Sequence, residues 1–532
     1  MREYNVALKS GVDYDTFWDE IETETSGLQF LPDRAVDIAN NRDGSLRQCH
    51  YYLSDDEAEL LRQDDRIYCV EIPPEQRDDI TIGHNVTQQS DFSKTTVSSG
   101  SYVNWGLLRS NYPSNIYGGS TNPPLNVNYD YTLDGTGVDV VISDSGIEVN
   151  HPEFQDRNGN NRVQQIDWAA ASGLPFTQNA NHYRDYDGHG THVAGIVAGK
   201  TFGWAKNSKI YSVKISGLEG TGDTGTGISL TYALDAIKLW HAAKPIQPST
   251  GCKRPTVVNM SWGYSHGYNT VTGLSYRGSS ITSASYADSY ARYQTYGLVN
   301  EIDSPGVGTT FSCNVRVSSV DVDLQEMVDA GIVVCIAAGN NCSKIDLSTG
   351  PDYNNNVTTN VASNVYYHRG SSPYDRKAII VGCMDRIPFD STLDQRTDFS
   401  CTGPGVDIYA PGSYIMSSTS NTNAFSGQPY YLNSSYKQVN ISGTSMAAPQ
   451  VAGVAALLLQ MNPTASAASI KTALVNRATK LIYNGGANSG SYLASNRGTM
   501  GGLTGSLFTN LNATNNLTLS GSLNIAANIN FI

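Results

Sequence analysis

The stretch Val138–Ile147 (VDVVISDSGI) is an apolar run that ends in a carboxylate, Asp144, followed by small residues. A short apolar run bounded by a turn is typical of a strand buried in a parallel sheet. The α/β proteins place their functional groups at the carboxyl ends of such strands. The stretch therefore predicts an α/β fold with Asp144 at the functional edge of its sheet.

Two further segments carry groups that nucleophilic catalysis requires. Ser445 lies in Gly443–Gly453 (GTSMAAPQVAG), ahead of a long apolar run, which predicts a serine at the N-terminus of a buried helix. A helix start offers unpaired N–H groups and partial positive charge to a developing oxyanion. His189 lies in Asp187–Gly195 (DGHGTHVAG) and opens a helix-like stretch. Because a serine needs a base and the base needs an orienting anion, we expect Ser445, His189 and Asp144 to act together.

Each of these residues alone has an ordinary structural explanation, such as an N-cap serine or a turn aspartate. Together, in the order Asp, His, Ser, the three segments resemble the signatures of the subtilisin-like serine proteases, the subtilase family or peptidase family S8. The resemblance runs from about Trp105 to about Ile482. It implies a three-layer α/β fold with a mostly parallel sheet, and a serine endopeptidase that needs no cofactor for catalysis.

The resemblance also assigns roles within the segments. It implies that His189, rather than His192, is the catalytic base, and that Asp144, rather than Asp187, is the catalytic carboxylate. His192 is interpreted as a structural residue. Asp187 is interpreted as part of the loop ahead of the base.

A fourth segment, Gly331–Asn341 (GIVVCIAAGNN), resembles the oxyanion segment of the family. On this basis Asn340 would donate its side-chain amide to the tetrahedral oxyanion, beside the main-chain N–H of Ser445. Without the other segments, an asparagine at the end of a strand would be read as a turn residue.

The segments Val257–Gly263 (VVNMSWG) and Glu219–Gly227 (EGTGDTGTG) resemble the two edges of the family's substrate cleft. They would hold a protein or peptide substrate as an added β-strand. The glycine-rich segment is also compatible with a plain surface loop, and it lacks the Gly-Lys-Ser/Thr of a phosphate-binding loop. The residues assigned to substrate binding are Ser261, Trp262, Gly263, Gly222 and Gly225.

The composition narrows the class of protein. The chain has 532 residues, 39% of them apolar, and a net charge of −14, of which −12 belongs to residues 1–79. Nucleic acid is therefore not expected as a partner. No apolar run reaches the length of a membrane span. The N-terminal residues do not resemble a secretory signal, so the sequence leaves the location unknown, with association with a virus particle or export by a non-standard route as the alternatives.

Residues 1–79 are predicted to form a small α+β module that resembles inhibitor I9-like prodomains, with a ferredoxin-like fold. The resemblance implies a self-processed zymogen whose N-terminal module occupies the cleft, with residues 80–103 as a linker and 104–483 as the catalytic domain. The alternative is a permanent acidic accessory domain, which would make the chain a permanently inhibited structural or assembly protein. The predicted elements are a strand at Tyr4–Leu8, a helix at Tyr14–Glu22, a strand at Arg47–Leu53, a capping box at Ser54–Glu57 and a strand at Arg66–Ile72.

Three other regions depart from a compact subtilase. Tyr264–Val315 and Asn341–Lys377 are insertions that flank the oxyanion segment and could shape the specificity cleft, although surface elaboration is the simpler interpretation. Residues 484–532 carry a single charge, and their last part alternates apolar and polar residues. This alternation predicts a β-rich tail with one apolar face, which must pack against the catalytic domain or a partner. We therefore expect the tail to be an attachment element for an assembly partner.

The cysteines and one polar loop give weaker signals. Cys49 and Cys69 are expected on neighbouring strands of the N-terminal module, where they could pair, whereas the pairing of the other six is not decided by the sequence. Asp156, Asn158 and Asn160 alternate as calcium ligands do, without the rest of an EF-hand pattern, and are candidates for a structural Ca²⁺ site. No catalytic metal is expected.

Overall fold

The computed structural model divides into two compact units, Met1–His84 and Asn85–Ile532. The residues that it describes are 1–9, 11–24, 27–41, 47–73, 87–88, 104–111, 130–178, 181–215, 227–228, 230–287, 295–298, 311–388, 394–478 and 482. The predicted linker is thus described only at residues 87–88, and the predicted β-rich tail lies outside the described residues. The predicted domain boundaries stay predictions.

The first unit has the ferredoxin-like element order β-α-β-β-α-β, with one antiparallel sheet in the order β2-β3-β1-β4. Both helices begin at the expected caps: the Asp13 side chain accepts the N–H of Thr16, and Ser54 and Glu57 form the predicted capping box. The α+β prediction is confirmed. The elements are β1 (Arg2–Leu8), α1 (Tyr14–Glu22), β2 (Ile38–Asn40), β3 (Gln48–Leu53), α2 (Asp55–Leu61) and β4 (Ile67–Glu71).

The expectation that Cys49 and Cys69 lie on neighbouring strands is wrong. Cys49 pairs with Val6 and Cys69 pairs with Ala7, so β1 lies between the two strands that carry the thiols. Adjacent strands are about 4.8 Å apart, and two such steps exceed the roughly 7 Å that a disulfide can bridge between Cα atoms. All eight cysteines are free thiols.

The second unit is built on a seven-stranded parallel sheet. The elements described in this unit are β5 (Thr87–Gln88), α3 (Trp105–Asn111), β6 (Asp130–Tyr131), β7 (Asp139–Asp144), a 3₁₀ helix (Pro152–Phe154), β8 (Val163–Gln164), α4 (Trp168–Ser172), α5 (His189–Ala198), β9 (Lys209–Lys214), α6 (Leu230–Ala243), β10 (Thr256–Met260), β11 (Ser265–Tyr268), β12 (Val271–Tyr276), β13 (Ser279–Ile281), α7 (Ser283–Tyr286), β14 (Phe311–Asn314), α8 (Ser318–Asp329), β15 (Val333–Ala337), β16 (Asn356–Thr359), β17 (Val365–Tyr366), β18 (Ile379–Met384), β19 (Ile408–Pro411), β20 (Ile415–Thr419), β21 (Gln428–Tyr430), β22 (Asn433–Ile441), α9 (Thr444–Met461) and α10 (Ala467–Arg477).

The order of the parallel sheet, β19-β18-β15-β10-β7-β9-β8, positions the functional groups. From β7 the chain runs to β8 and β9 on one side and then to β10 on the other. The connections reverse direction at this point, and α/β sheets place their ligand sites there. The strands β7, β10 and β18 are buried along their whole length, as expected for a parallel sheet covered on both faces.

The helix α9 lies in the core of the second unit, packed against α5 and the strands β10, β15, β18 and β19. Among the described residues it is the one helix long and apolar enough to span a bilayer, and 83% of it is buried inside the protein. A core helix of this kind meets the same criteria of length and composition as a membrane span.

The two predicted insertions pair with each other. The strand β12 pairs with β13 and β16, and β16 with β17; β11 pairs with β14. These strands share a small apolar core that includes Tyr268, Leu274, Val357 and Tyr367. The insertions therefore form one folded body, here called the accessory lobe, rather than separate surface loops. The described part of the accessory lobe comprises residues 264–287, 295–298, 311–315 and 341–377.

Candidate active site

The carboxyl end of β7 and the N-terminus of α5 bring a carboxylate against an imidazole. Asp144 Oδ1 lies 2.8 Å from His189 Nδ1 and also accepts the main-chain N–H of Ser145 at 2.8 Å. Asp144 is buried, whereas the His189 side chain is 24% exposed. A carboxylate in this position holds the hydrogen on Nδ1 and leaves Nε2 free to act as a base toward the cleft.

A second carboxylate, Asp185, joins the two segments that carry Asp144 and His189. It is buried, and burial raises its pKa. Ser145 Oγ, one of its donors, itself accepts the N–H of Gly190 at 2.9 Å, so the turn after β7 is bonded to the first turn of α5. The donors to Asp185 are Ser145 Oγ, Thr191 Oγ1 and the main-chain N–H groups of Asp187, Gly188 and Thr191.

Two glycines permit this close approach. A Cβ at Gly190 would lie 2.2 Å from the main-chain oxygen of Gly146, and a Cβ at Gly146 would lie 2.4 Å from the carbonyl oxygen of Arg184. Side chains at these positions would therefore push the His189 segment away from Asp144.

The pKa of His189 is raised although most of its side chain is buried. Burial of the ring lowers the pKa of His189. The charge of Asp144, the hydrogen bond to Asp144 and the charge of Asp187 raise the pKa by more than burial lowers it, and the result is a pKa of about 9. The imidazolium that forms when the ring accepts a proton is thus well stabilised.

His192 has the opposite environment one turn later in the same helix. It is fully buried, and burial, together with the charge of His189, lowers its pKa to about 3. Its Nε2 lies 3.1 Å from the carbonyl oxygens of Ile415 and Val439. A neutral ring that donates to main-chain carbonyls fits the structural role predicted for His192.

Ser445 lies in the first turn of α9, where main-chain N–H groups have no acceptor within the helix. Its Oγ donates to the carbonyl oxygen of Ser261 at 3.1 Å, and Ser261 Oγ donates to the carbonyl oxygen of Ser445 at 2.9 Å. This reciprocal pair fastens Ser445 to the residue that follows β10. The hydrogen bonds of the described residues join Asp144 to His189 but not His189 to Ser445, so the serine hydroxyl must rotate toward Nε2 to be activated.

Asn340 follows the carboxyl end of β15, and its amide has one defined orientation. Asn340 Oδ1 accepts both the main-chain N–H and the Oγ1 hydroxyl of Thr444, each at 2.8 Å. Because the oxygen is held by these donors, Nδ2 is the atom left to donate. Nδ2 would lie 3.4 Å from a Cβ at Gly443, and so would approach the start of α9. The Asn340 amide nitrogen and the first turn of α9, which carries Ser445, therefore lie close together, as the predicted oxyanion donors would have to.

The residues assigned to substrate binding are only partly described. Trp262 and Gly263 follow β10 after Ser261, and there Gly263 is exposed and Trp262 is half-buried. The Trp262 ring packs edge-on against Tyr264, with ring centroids 6.1 Å apart. Gly222 and Gly225 lie outside the described residues.

The donor set of the candidate calcium loop does not fit a Ca²⁺ ion. Asp156 Oδ1 accepts the main-chain N–H groups of Asn158 and Asn160, each at 2.8 Å, and Oδ2 accepts Asn160 Nδ2 at 3.1 Å. The loop is therefore an Asx turn in which N–H donors face the carboxylate, whereas Ca²⁺ takes six to eight oxygen ligands. Among the described residues, no group of three or more His, Cys, Asp or Glu side chains could hold a metal ion.

The sequence analysis missed several residues that shape the site. Ser145 and Thr444 are adjacent to predicted catalytic residues, and a search for hydroxyls beside the nucleophile and the carboxylate would have found them. Asp185 precedes His189 by four residues, and only the folded structure shows that its carboxylate joins the Asp144 and His189 segments.

Comparison with known proteins identifies the family. The profile of the family described as Peptidase S8, the subtilase family, matches residues 135–495. The chain is 27% identical over 470 residues to alkaline serine exoprotease A of Vibrio alginolyticus, covering 88% of this chain and 61% of that protein. It is 29% identical over 358 residues to subtilisin-like protease 5 of Arthroderma benhamiae (strain ATCC MYA-4681 / CBS 112371), covering 67% of this chain and 58% of that protein. The chain thus spans about three fifths of the length of these relatives.

Two solved structures to which the chain is similar are both described as proteases or by a protease name. A cold-adapted subtilisin-like serine proteinase is 24% identical, with a TM-score of 0.43, over 72% of this chain and 93% of the other. Sphericase is 21% identical, with a TM-score of 0.41, over 70% of this chain and 93% of the other. Because the family profile covers well over half of the residues, including all four segments that carry the site, the chain belongs to the subtilase family.

Proposed function

We propose that the protein is a serine endopeptidase that uses Asp144, His189 and Ser445 as its catalytic triad. The observation that carries this proposal is the 2.8 Å contact between Asp144 Oδ1 and His189 Nδ1 at the switch point of the parallel sheet. The matched family profile also covers Ser445, in the first turn of α9, and Asn340, after β15. The names of the relatives, which are serine proteases, support the same chemistry.

The reaction follows from the arrangement of these groups. Ser445 Oγ attacks the scissile carbonyl carbon while His189 Nε2 takes the hydroxyl proton, and the imidazolium is stabilised by Asp144. The oxyanion accepts hydrogen bonds from Asn340 Nδ2 and the main-chain N–H of Ser445. His189 then gives the proton to the leaving amine, and water hydrolyses the acyl-enzyme by the same steps.

We also propose that residues 1–79 are an inhibitory prodomain that is removed by self-cleavage upstream of residue 104. Asn104 is fully buried: its Nδ2 donates to the carbonyl oxygen of Phe202 at 2.7 Å, and its Oδ1 accepts Gln450 Nε2 at 2.9 Å. The chain is thus anchored in the second unit at this residue, which supports a cleavage point before it.

Labelling with a fluorophosphonate probe tests the proposed activity. We expect the purified protein to be labelled at Ser445, and the Ser445→Ala variant to lose labelling and about 10⁶-fold in kcat for peptide hydrolysis. N-terminal sequencing of the wild type should find a new terminus between about Arg77 and Trp105 that is absent from the variant. A full-length protein that keeps residues 1–79 and is labelled only after residues 1–103 are removed would instead be a permanently inhibited structural or assembly protein. A protein that is unlabelled in both forms would overturn the proposed activity.

A further inference from the structure

Three side chains beside Asn340 close a ring of hydrogen bonds. Asn341 Nδ2 donates to Asn314 Oδ1 at 3.0 Å, Asn314 Nδ2 donates to Cys401 Sγ at 3.4 Å, and Cys401 Sγ donates to Asn341 Oδ1 at 3.0 Å. We call this set the amide–thiol ring. Each member donates one hydrogen bond within the ring and accepts one, so the ring is closed.

The members of the amide–thiol ring come from three separate parts of the second unit. Asn314 ends β14 of the accessory lobe, Asn341 follows Asn340 directly, and Cys401 lies between β18 and β19. Cys401 is fully buried and Asn314 is nearly so. Burial raises the pKa of the Cys401 thiol to about 11, so the thiol keeps the proton that it donates. A closed network of hydrogen bonds that is largely buried favours one arrangement of its members.

The amide–thiol ring also packs against the residue that precedes Asn340. Gly339 has a φ of +108°, and a Cβ there would lie 2.7 Å from Asn314 Nδ2 and 3.1 Å from Cys401 Sγ. The carbonyl oxygen of Gly339 accepts the N–H of Cys401 at 2.9 Å. The ring therefore contacts the main chain on both sides of Asn340.

Two different contacts thus control two different properties of Asn340. The bonds from Thr444 fix the rotation of the Asn340 amide, but they do not fix the path of the main chain. The amide–thiol ring fixes the turn from Gly339 to Asn341. An oxyanion donor must be placed to within a fraction of an ångström, and a misplacement of about 1 Å can cost as much as 10² in rate.

We propose that Asn314, Asn341 and Cys401 are positioning residues that hold the turn carrying Asn340, so that the accessory lobe contributes to stabilisation of the oxyanion. This proposal rests on the proposed peptidase function. The expected effect falls on the transition state, because the oxyanion exists only there. Loss of the ring should therefore lower kcat and leave KM nearly unchanged.

The matched variants Cys401→Ala and Cys401→Ser test this proposal in the full-length protein, with the peptide anilide that the wild type cleaves fastest. Alanine removes two of the three ring bonds, and kcat should fall about tenfold with KM within about twofold. Serine keeps one donor and one acceptor, and should retain at least about half of kcat. Asn314→Ala should behave as Cys401→Ala. Cys335→Ala, which removes another buried thiol, should leave kcat unchanged.

A double-mutant cycle separates positioning from a general loss of structure. In the Asn340→Ala background, Cys401→Ala should lower kcat less than about twofold, because the donor that the ring positions is already absent. An equal loss in both backgrounds, or an unchanged kcat for Cys401→Ala in an active protein, overturns the positioning role alone. A wild-type protein that neither hydrolyses peptides nor reacts with the fluorophosphonate overturns the proposed function, and the positioning role with it.

Discussion

The histidine side of the site is held by carboxylates, whereas the oxyanion side is held by neutral amides, a hydroxyl and a thiol. On the histidine side, Asp144 and Asp185 are buried, and main-chain N–H groups and hydroxyls satisfy Asp185. On the oxyanion side, Thr444 and the amide–thiol ring hold Asn340 without any charged group. The difference suits the proposed reaction, in which a cation would develop on the imidazole and an anion on the substrate oxygen.

The largest effect should come from breaking the charged side. We expect Asp144→Asn to lower kcat about 10⁴-fold, since the amide can present the wrong hydrogen-bonding partner to Nδ1. In the wild type, kcat/KM should rise with pH toward about 9, because only the neutral ring of His189 accepts the proton. In the variant this rise should move to lower pH. A pH–rate profile that does not move would contradict the role of Asp144.

The same pKa gives a stability prediction with a defined sign. The pKa of His189 in the fold, about 9, lies above the ordinary value of 6.5. Protonation therefore stabilises the fold fully below about pH 6.5, and this contribution is lost as the pH rises toward 9. Denaturant unfolding from pH 6.5 to 9 should show that the free energy of unfolding falls in the wild type and falls less in Asp144→Asn.

The neutral side should give a smaller effect of a different kind. We expect Asn340→Ala to lower kcat by about 10²–10³ and to leave KM within about twofold, because one oxyanion donor is lost. Steady-state kinetics on the same peptide substrate measure both constants. The pH at which kcat/KM rises should stay at the wild-type value, since Asn340 does not contact His189. A shift of that pH would show that the two sides are electrostatically coupled.

Asp185→Asn should affect stability more than catalysis. An amide nitrogen would face N–H or hydroxyl donors in place of one carboxylate oxygen, which leaves buried donors unsatisfied. We expect the free energy of unfolding to fall by about 2–3 kcal/mol and kcat to fall about tenfold. Asp156→Asn is the matched control, because that turn carboxylate is accessible to solvent. Equal losses of stability in the two variants would remove the special role of Asp185.

The smallest effect is expected at the candidate calcium loop. Asp156 already accepts three N–H groups in its Asx turn, so we expect Asp156→Ala not to change the response of the protein to calcium. The measurement is the Tm of wild type and variant, each with excess calcium and with a chelator. A calcium-dependent rise in Tm that the variant lacks would show that the loop does bind the ion.

Features that local contacts decide could be predicted from the sequence, whereas features that contacts between distant residues decide could not. The helix at Tyr14–Glu22 and the capping box at Ser54 were predicted with their correct bounds, because local hydrogen bonds decide them. The strand β2 was missed, because its three residues are too short to show alternation. The proposed proximity of Cys49 and Cys69 was wrong, because strand order in a sheet is not a local property.

The same distinction between local and distant contacts applies to the candidate active site. The sequence by itself determined the four segments with Asp144, His189, Asn340 and Ser445, since each group sits beside the glycines and apolar runs that its local geometry needs. Only the tertiary structure decided which atom of the Asn340 amide is left to donate, and that β14 of the accessory lobe reaches this turn. The hydrogen bonds to Asn340 and its turn join residues 27 to 105 positions apart in the chain, and no local pattern records such a separation. Their geometry exists only once the sheet, α9 and the accessory lobe have packed.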